Sequence, residues 1–286
     1  MAKKIVLQRL NQSYSLRDRG KEGQERFCAL KDFSLEVEAG EFITVVGPSG
    51  CGKSTLLDIL SGLSQAESGS YLIDGKAVKG PSLDRGFVMQ SYALFPWRTV
   101  LKNVEFGLEL KKIARADRTK TAQEYIRLVG LEEFADRYPY ELSGGMRQRV
   151  AIARALAYQP EILLMDEPFA AVDAQTREKL QDELLQIWEQ TGKTIIFITH
   201  SIDEAVLLAD RVVVMSENPG TVKEIIGIDL PRPRSNADVK HLSGYSTYTN
   251  QVWNLLHDRQ EEQARQAEVP EVPYRKKAVV GSEIRI

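Results

Sequence analysis

The segment 47–55, Gly-Pro-Ser-Gly-Cys-Gly-Lys-Ser-Thr, constrains the fold of this chain more than any other. It satisfies the phosphate-binding loop pattern Gly-x-x-x-x-Gly-Lys-[Ser/Thr] at every required position. A short β-branched apolar run, residues 42–46, precedes it, and a stretch with helical apolar spacing follows it. A strand, a glycine-rich turn and a helix in this order direct backbone N–H groups and a helix N-terminus at a polyphosphate.

Two residues of this loop have defined tasks when such a loop binds a nucleotide. Lys53 would reach the β- and γ-phosphates, and the Ser54 hydroxyl would ligate Mg²⁺. The residues predicted to contact ATP in this segment are Gly47, Pro48, Ser49, Gly50, Cys51, Gly52, Lys53, Ser54 and Thr55.

The composition is that of an ordinary globular protein: 286 residues, 43% hydrophobic and 27% charged, with a net charge of −2. That charge gives no support to a nucleic-acid binder. Two cysteines, Cys28 and Cys51, predict neither a disulfide framework nor a zinc site. No apolar stretch approaches the roughly 20 residues that cross a bilayer, and no secretory signal is evident. We therefore expect a reduced cytosolic compartment, with any membrane role exerted through a partner.

Strand-like and helical patterns alternate along much of the chain, which predicts an α/β fold. Apolar runs at 162–165, 194–199 and 211–215 are typical of buried parallel strands, and runs at 5–10, 32–37 and 70–73 predict a small antiparallel sheet. Residues 17–26 are expected to form a loop. Residues from about 91 to 157 are mostly helical in pattern and predict a helical insert. We expect a main domain over residues 1–230 and an extension, 231–286, that is partly helical to about residue 267 and ends in a loose tail.

Several helix ends can be placed from local signals. One helix is predicted over 121–129 with Gly130 ending it, and another over 175–190 ending at Gly192. A third, 201–209, opens with Ser201 and Glu204 at the spacing of a capping box.

An apolar run that ends in two adjacent acids supplies a second candidate piece of the site. Asp166 and Glu167 would lie at the carboxyl end of a buried strand, where open α/β sheets bind ligands. Asp166 is the expected Mg²⁺ partner, through water. Glu167 is placed to polarise the attacking water as a general base.

A third piece is the sequence Leu-Ser-Gly-Gly at 142–145, which precedes a helix that runs to about residue 157. A serine and two glycines at a helix N-terminus form a second anion cradle. One ATP needs one such cradle, so the second indicates an interface.

Ser143, Gly144 and Gly145, placed between a phosphate loop and an Asp-Glu strand, resemble the ATP-binding cassette (ABC) family over roughly residues 4–230. The resemblance implies a P-loop NTPase (RecA-like) α/β core with an antiparallel β-subdomain and an inserted α-helical subdomain. It also implies that two cassettes sandwich two ATPs head to tail, so that Ser143, Gly144 and Gly145 contact the ATP held by the phosphate loop of a second subunit.

The same resemblance assigns further residues by motif. Gln90 matches the glutamine that touches Mg²⁺ and the attacking water, and His200 matches the switch histidine that contacts the γ-phosphate. Asp173, in Ala-Val-Asp, matches the D-loop. Tyr14 is our choice for the aromatic ring that stacks on adenine, with Phe27 as the competitor. The implied catalytic set is Glu167, His200, Gln90 and Lys53, and the implied Mg²⁺ set is Ser54, Gln90 and Asp166.

Within the family, the segments 80–81, 93–100, 166–169, 173–177 and 231–234 are similar to the ATPases of nitrate, sulfonate and taurine importers. This similarity implies an ATP-hydrolysing, energy-coupling subunit of an importer for a small anion such as nitrate, a sulfonate, taurine or bicarbonate. It would lie peripherally on the cytoplasmic face of the cell membrane. Its implied partners are a second ATPase subunit (identical or a homologue), transmembrane permease subunits and, through the complex, a periplasmic or extracellular substrate-binding protein. A groove near residues 92–97 would receive a short helix of the permease.

Two other functions remain open at this stage. A non-transport ABC ATPase acting in a nucleic-acid process would work without a permease. However, the long coiled coil, zinc-binding cysteines or second cassette that mark such relatives do not occur here. A regulatory module that holds ATP without turnover is the second possibility, and the full set of acid, histidine and glutamine disfavours it.

Overall fold

The computed structural model describes residues 3–16, 25–170 and 172–257. Its strands are β1 (Lys3–Leu16), β2 (Glu25–Glu38), β3 (Phe42–Val46), β4 (Ser68–Ile73), β5 (Lys76–Ala77), β6 (Arg85–Val88), β7 (Ile162–Asp166), β8 (Thr194–Ile198), β9 (Arg211–Met215) and β10 (Val222–Gly227). Its α-helices are α1 (Lys53–Ser61), α2 (Val100–Leu110), α3 (Arg115–Leu128), α4 (Gly144–Ala157), α5 (Ala174–Thr191), α6 (Ile202–Leu208) and α7 (Tyr245–Leu256).

The larger sheet has six strands in the order β10-β9-β3-β8-β7-β6, parallel except for β10. Its central strands β3 and β8 are buried along their whole length because helices cover both faces, which is why they are continuous apolar runs in the sequence. The predicted α/β core is confirmed. Because β3, β8 and β7 are neighbours, the segments that follow them meet at one edge of the sheet.

The smaller sheet is antiparallel, in the order β2-β1-β4-β5, and it confirms the predicted β-subdomain. Strands β1 and β2 are each 14 residues long, well beyond the predicted runs at 5–10 and 32–37. Their pairing extends to Leu16 opposite Glu25. The last two residues of the loop expected over 17–26 are therefore the first two residues of β2. Residues 17–24 lie outside the described residues.

The helical insert is confirmed, and it has an apolar core of its own. Side chains of α2, α3 and α4, including Val104, Ile126 and Val150, are buried against one another. Helix α3 begins at Arg115, six residues before the predicted start, because its polar first turns carry no apolar periodicity. It ends close to Gly130, whose φ of 64° is the left-handed conformation expected of a helix-ending glycine.

The predicted capping box of α6 is half wrong. Ser201 Oγ does accept the N–H of Glu204, at 3.3 Å. The Glu204 carboxylate, however, does not return to the Ser201 N–H. It binds the Thr199 hydroxyl and the Gln181 amide, while the Ser201 N–H donates to Thr199 Oγ1 at 3.0 Å. The Thr199 hydroxyl, two residues before Ser201, therefore takes the place of the Glu204 carboxylate as the acceptor of the Ser201 N–H.

Residues after β10 pack onto the main core up to the end of α7. Val239, Tyr245 and Val252 are buried in the same apolar cluster as Val206 of α6. Arg234 donates to the carbonyl oxygens of Val206, Leu207, Ala209, Ile228 and Leu230, and so covers the C-terminal end of α6.

The described residues up to Leu256 form one compact unit, and a boundary at residue 230 stays our proposal. The last helix, α7, ends at Leu256, and the predicted end of the helical stretch near residue 267 lies outside the described residues.

Within the described residues, no helix combines the length and the apolar character that a membrane span requires.

Candidate functional site

The phosphate loop joins β3 to α1 in a conformation that requires glycine at two positions. Gly52, the N-cap of α1, has φ 97° and ψ 9°, and Gly50 has φ 78°. A Cβ at Gly52 would lie 2.6 Å from the carbonyl oxygen of Ala29. Larger residues are thus excluded from Gly52 by both backbone strain and contact. The resulting turn points the first N–H groups of α1 towards the edge of the sheet.

Lys53 is buried and its ammonium group lies within the loop. Nζ donates to the carbonyl oxygens of Gly47 and Pro48, each at 2.8 Å, and lies 3.7 Å from Cys51 Sγ. Burial raises the pKa of the Cys51 thiol in spite of the nearby Lys53 charge. The thiol therefore stays protonated, and the lysine charge remains available to an anion held by the loop.

A polar cavity of about 220 Å³ opens in front of this loop. It brings together the loop, the acid that follows β7 and the histidine that follows β8, as expected of segments at one edge of a parallel sheet. The residues that line it are Phe27, Ala29, Ser49, Gly50, Gly52, Lys53, Ser54, Thr55, Glu167 and His200.

Asp166 ends β7 near the Ser54 hydroxyl at the start of α1. Burial raises the pKa of Asp166, and the neighbouring carboxylates of Glu167 and Asp58 raise it further, whereas Lys53 and Ser54 lower it. A partly buried carboxylate and a hydroxyl that converge beside a phosphate loop are oxygen donors of the kind that Mg²⁺ prefers. The side chains present thus fit a magnesium ion that also binds substrate phosphates.

Glu167 lies between the two other side chains assigned by motif. Its Oε2 accepts the amide of Gln90 at 3.3 Å, and its Oε1 lies 2.5 Å from His200 Nε2. The backbone of Glu167 has φ 46°, and its N–H donates to Ile198 O at 3.0 Å. A non-glycine residue held in the left-handed region at such a site is typical of an imposed geometry. The carboxylate therefore has a fixed direction at the wall of the cavity.

The two candidate adenine-stacking rings are cross-strand partners on β1 and β2. Phe27 lines the cavity and Tyr14 does not. The Tyr14 hydroxyl lies 3.4 Å from Thr55 Oγ1, and the residue is 41% exposed beside the loop. Both rings are close to the phosphate loop, and the choice of Tyr14 stays a prediction.

The Leu-Ser-Gly-Gly residues form a second cluster that does not line this cavity. Ser143 is exposed and caps α4, accepting the N–H of Met146 at 3.3 Å. Gly145 lies close to Val172, since a Cβ there would be 3.7 Å from Val172 Cγ1. Asp173 caps α5 by accepting the Thr176 N–H at 3.0 Å, and this backbone bond lowers the pKa of Asp173. Within one chain the two sets of predicted ATP contacts are therefore on separate surfaces.

One half-buried polar residue beside the site, Arg154, was not found from the sequence. Arg154 donates to the carbonyl oxygens of Tyr92 and Ala93 at 2.8 and 2.6 Å, and these residues have φ values of 62° and 45°. Arg154 thereby holds the strained turn that follows Gln90. In the sequence, Arg154 is the one charged residue in the apolar helical stretch 150–157. A single arginine in such a stretch does not by itself indicate a contact with the turn after Gln90.

The chain is similar to several known proteins. The family model described as ABC transporter matches residues 30–170. An uncharacterized ABC transporter ATP-binding protein of Methanocaldococcus jannaschii is 58% identical over 82% of this chain and 86% of its own length. The nitrate import ATP-binding protein NrtD of Synechocystis sp. is 46% identical over 85% of this chain and 93% of its own. The bicarbonate transport ATP-binding protein CmpC of Synechococcus elongatus is 42% identical over 89% of this chain and 38% of its own.

Two solved structures of a bacterial ABC transporter cassette are similar to this chain at 36% sequence identity, covering 78% of this chain and 98% of theirs. One is a dimeric structure, with a TM-score of 0.71. The other is a dimeric post-hydrolysis state bound to ADP and Pi, with a TM-score of 0.70.

Proposed function

The chain belongs to the ABC transporter family as an ATP-binding subunit, and from this we propose that it powers an importer for a small anion of the nitrate, sulfonate, taurine or bicarbonate class. The observation that carries the ATPase role is the placement of Glu167 between Gln90 and His200 at the wall of the phosphate-loop cavity. The anion class is supported by relatives named for nitrate and bicarbonate import.

In the proposed mechanism the chain acts by positioning and by charge. The loop N–H groups and Lys53 hold the polyphosphate, and the lysine charge stabilises the negative charge that develops on the γ-phosphate. Ser54 and Asp166, with Gln90, would hold Mg²⁺, which when bound neutralises phosphate charge. Glu167 accepts a proton from the attacking water, and His200 contacts the γ-phosphate. His200 and Gln90 also fix the direction of the Glu167 carboxylate.

We propose that a second cassette completes each site. The exposed Ser143, with Gly144, Gly145 and Asp173, would contact the ATP held by the phosphate loop of a partner. The separation of these residues from the cavity of their own chain supports this arrangement, as does the dimeric state of the similar cassette. The partner is either a second copy of this chain or a homologue. ATP binding would close the pair and hydrolysis would release it, since contacts to the γ-phosphate exist only before hydrolysis.

A permease helix is proposed to dock in an apolar cavity of about 400 Å³ between the helical insert and the core. Ala93 and Phe95, within the segment 92–97, are part of its wall, together with Leu110 and Arg154. Gln90 follows Met89, which lines the cavity, and the Gln90 amide contacts Glu167. A helix in this cavity would therefore lie close to the proposed hydrolytic site. Docking there would place the subunit peripherally at the cytoplasmic face of the membrane. The substrate-binding protein would contact the permease rather than this chain.

Hydrolysis is tested by replacing the proposed base. Glu167→Gln keeps the size of the side chain and an oxygen that can accept the Gln90 amide, but it removes the group that takes the proton. We expect ATP affinity to be unchanged and phosphate release to fall by about 100-fold or more. Phosphate release at the wild-type rate would remove Glu167 from its proposed role.

The transport role is tested by co-purification of a membrane protein and by an import assay with a panel of anions. The full chain, purified from its own cells under mild detergent, should bring down a protein with several membrane spans. Vesicles that contain this complex should import a small anion when ATP is supplied, measured over a panel of nitrate, bicarbonate, taurine and an alkanesulfonate. A chain that hydrolyses ATP but retains no membrane protein would contradict the transport role and leave the ATPase role intact.

A further inference from the structure

A carboxylate is buried directly behind the histidine of the site, in a place where the proposed mechanism gives it no task. Glu204 in α6 is 7% exposed and lies between α5 and the end of β8. Its Oε1 accepts the amide of Gln181 at 3.0 Å, and its Oε2 accepts the hydroxyl of Thr199. Burial raises the pKa of Glu204. A buried carboxylate is costly to desolvate, and an apolar residue would pack at least as well there.

Thr199 connects this carboxylate to the backbone that carries His200. The Thr199 hydroxyl donates to Glu204 and accepts the N–H of Ser201 at 3.0 Å. The second bond bridges His200, which lies between Thr199 and Ser201 in the chain. The Thr199 N–H donates to Val45 O at 3.3 Å in the strand before the phosphate loop. The backbone on both sides of His200 is thus held by Thr199, whose hydroxyl is bonded to Glu204.

On its other side the carboxylate faces the segment that ends at Asp173. Arg177 Nε lies 4.0 Å from Glu204 Oε1. The same guanidinium donates through Nη2 to the carbonyl oxygen of Val172, at 2.9 Å. Val172 directly precedes Asp173 and packs near Gly145 of the second cluster. Side-chain contacts therefore run from the second cluster to the histidine loop without passing through the nucleotide cavity.

We propose that Glu204 is a positioning residue that couples the His200 imidazole to the segment ending at Asp173, through Thr199 on one side and Arg177 on the other. The proposal rests on the proposed roles of His200 and of the Asp173 segment at a second cassette. A partner that contacts the Asp173 segment would restrict the position of Arg177 and, through it, that of the Glu204 carboxylate. Glu204 would in turn hold the His200 imidazole beside the Glu167 carboxylate. Glu204 itself contacts neither the nucleotide cavity nor the reacting atoms.

The sharpest substitution removes one hydroxyl and keeps the shape. Thr199→Val in the full chain deletes the link to Glu204, and Thr199→Ser is the matched control that retains it. We expect Thr199→Val to lower kcat by about tenfold or more, with the Kd for ATP within about twofold of wild type, and Thr199→Ser to restore most of the kcat. Equal kcat in Thr199→Val and wild type, or no recovery in Thr199→Ser, would overturn the proposal.

A spectroscopic readout separates positioning from general destabilisation. The chain has three histidines, His200, His241 and His257, so histidine-labelled protein gives three sets of imidazole ¹⁵N signals. Thr199→Val should shift the signals of His200 and leave those of His241 and His257 in place. Unchanged His200 signals would contradict the proposed link whatever happens to kcat. His200→Ala tests the histidine's own role separately, because normal hydrolysis in that variant would remove His200 from the mechanism without bearing on the link.

A second pair of variants guards against loss of folding. Thr199→Val leaves a buried carboxylate short of a partner, which can destabilise the protein by itself. Glu204→Gln removes the charge but keeps an oxygen that accepts the Thr199 hydroxyl. The double variant Thr199→Val, Glu204→Gln breaks the link with no buried carboxylate left short of a partner. The proposal requires the double variant to show the lower kcat and the shifted His200 signals when compared with Glu204→Gln alone, and equal behaviour of the two would overturn it.

Discussion

At the scale of single residues, the site combines strain with close hydrogen bonding. Glu167 has a positive φ, as do Tyr92 and Ala93 in the turn after Gln90. Each such residue costs about 1–3 kcal/mol relative to relaxed backbone, and it persists only where the surroundings hold it. Arg154 supplies this constraint for the turn, with two bonds to strained carbonyl groups. The surrounding contacts therefore hold a strained geometry at Glu167 and in the turn after Gln90, and both Glu167 and Gln90 are proposed to act in hydrolysis.

The adenine contact is tested by a pair of aromatic substitutions. If Tyr14 stacks on the base, Tyr14→Ala should weaken ATP binding by about tenfold, since base stacking on an aromatic ring contributes about 1–3 kcal/mol. Tyr14→Phe keeps the ring and should bind as the wild type does. Binding is measured by calorimetry with the non-hydrolysing Glu167→Gln background. A loss of affinity in Phe27→Ala but not in Tyr14→Ala would transfer the role to Phe27, which lines the cavity.

At the scale of helices and strands, the sequence predicted those features that depend on neighbours in the chain. The loop at 47–55, the acids after β7 and the serine that caps α4 are each encoded within a few residues, and all lie where they were predicted. Strand lengths in the antiparallel sheet and the first turns of α3 were underestimated, because their exposed polar residues carry no periodic signal. The bond from Gln181 to Glu204 joins residues 23 positions apart and has no local signature. It exists only because α5 and α6 pack side by side.

Arg234 provides a stability test at this scale. Its guanidinium is buried, and burial lowers its pKa to about 10, so that it stays charged at neutral pH while it binds the carbonyl groups at the end of α6. Arg234→Met should leave those carbonyl groups unpaired and lower the free energy of unfolding by about 2–4 kcal/mol, measured by urea denaturation. Arg232→Met is the control in the same motif. Arg232 stacks on Trp188 and pairs with the partly exposed Asp210, and we expect a smaller loss. Equal losses would contradict the role given to Arg234.

The docking cavity is tested with two exposed leucines of the helical insert. Leu110 lines the cavity and is 53% exposed, whereas Leu128 is 43% exposed and lies outside the cavity lining. Leu110→Glu places a charge where an apolar helix would dock, while folding and ATP binding should be unaffected. We expect the co-purified membrane protein to be lost with Leu110→Glu and retained with Leu128→Glu. Retention by both variants would place the permease contact elsewhere.

At the scale of the whole molecule, the residues predicted to contact ATP fall into two separate groups. The phosphate loop, Glu167 and His200 meet in one cavity, and Ser143, Gly145 and Asp173 form a separate cluster. A lone chain thus presents half of the contacts that the family motifs assign to one ATP. Both groups could be located from the sequence because each is a short motif, and their contact with ATP stays a prediction. It could not show that the contacts between them run through Thr199, Glu204 and Arg177, since that path depends on packing.

The most direct measurement of this two-cassette requirement is ATP-dependent association of the chain, followed by sedimentation velocity. Glu167→Gln with saturating ATP should sediment as a dimer, and it should be a monomer without nucleotide. Adding Ser143→Arg should abolish the dimer while ATP affinity stays unchanged, because the bulky side chain blocks only the partner's site. A double variant that still dimerises, or a wild-type chain that remains monomeric with ATP and hydrolyses it at full rate, would contradict the requirement for a partner.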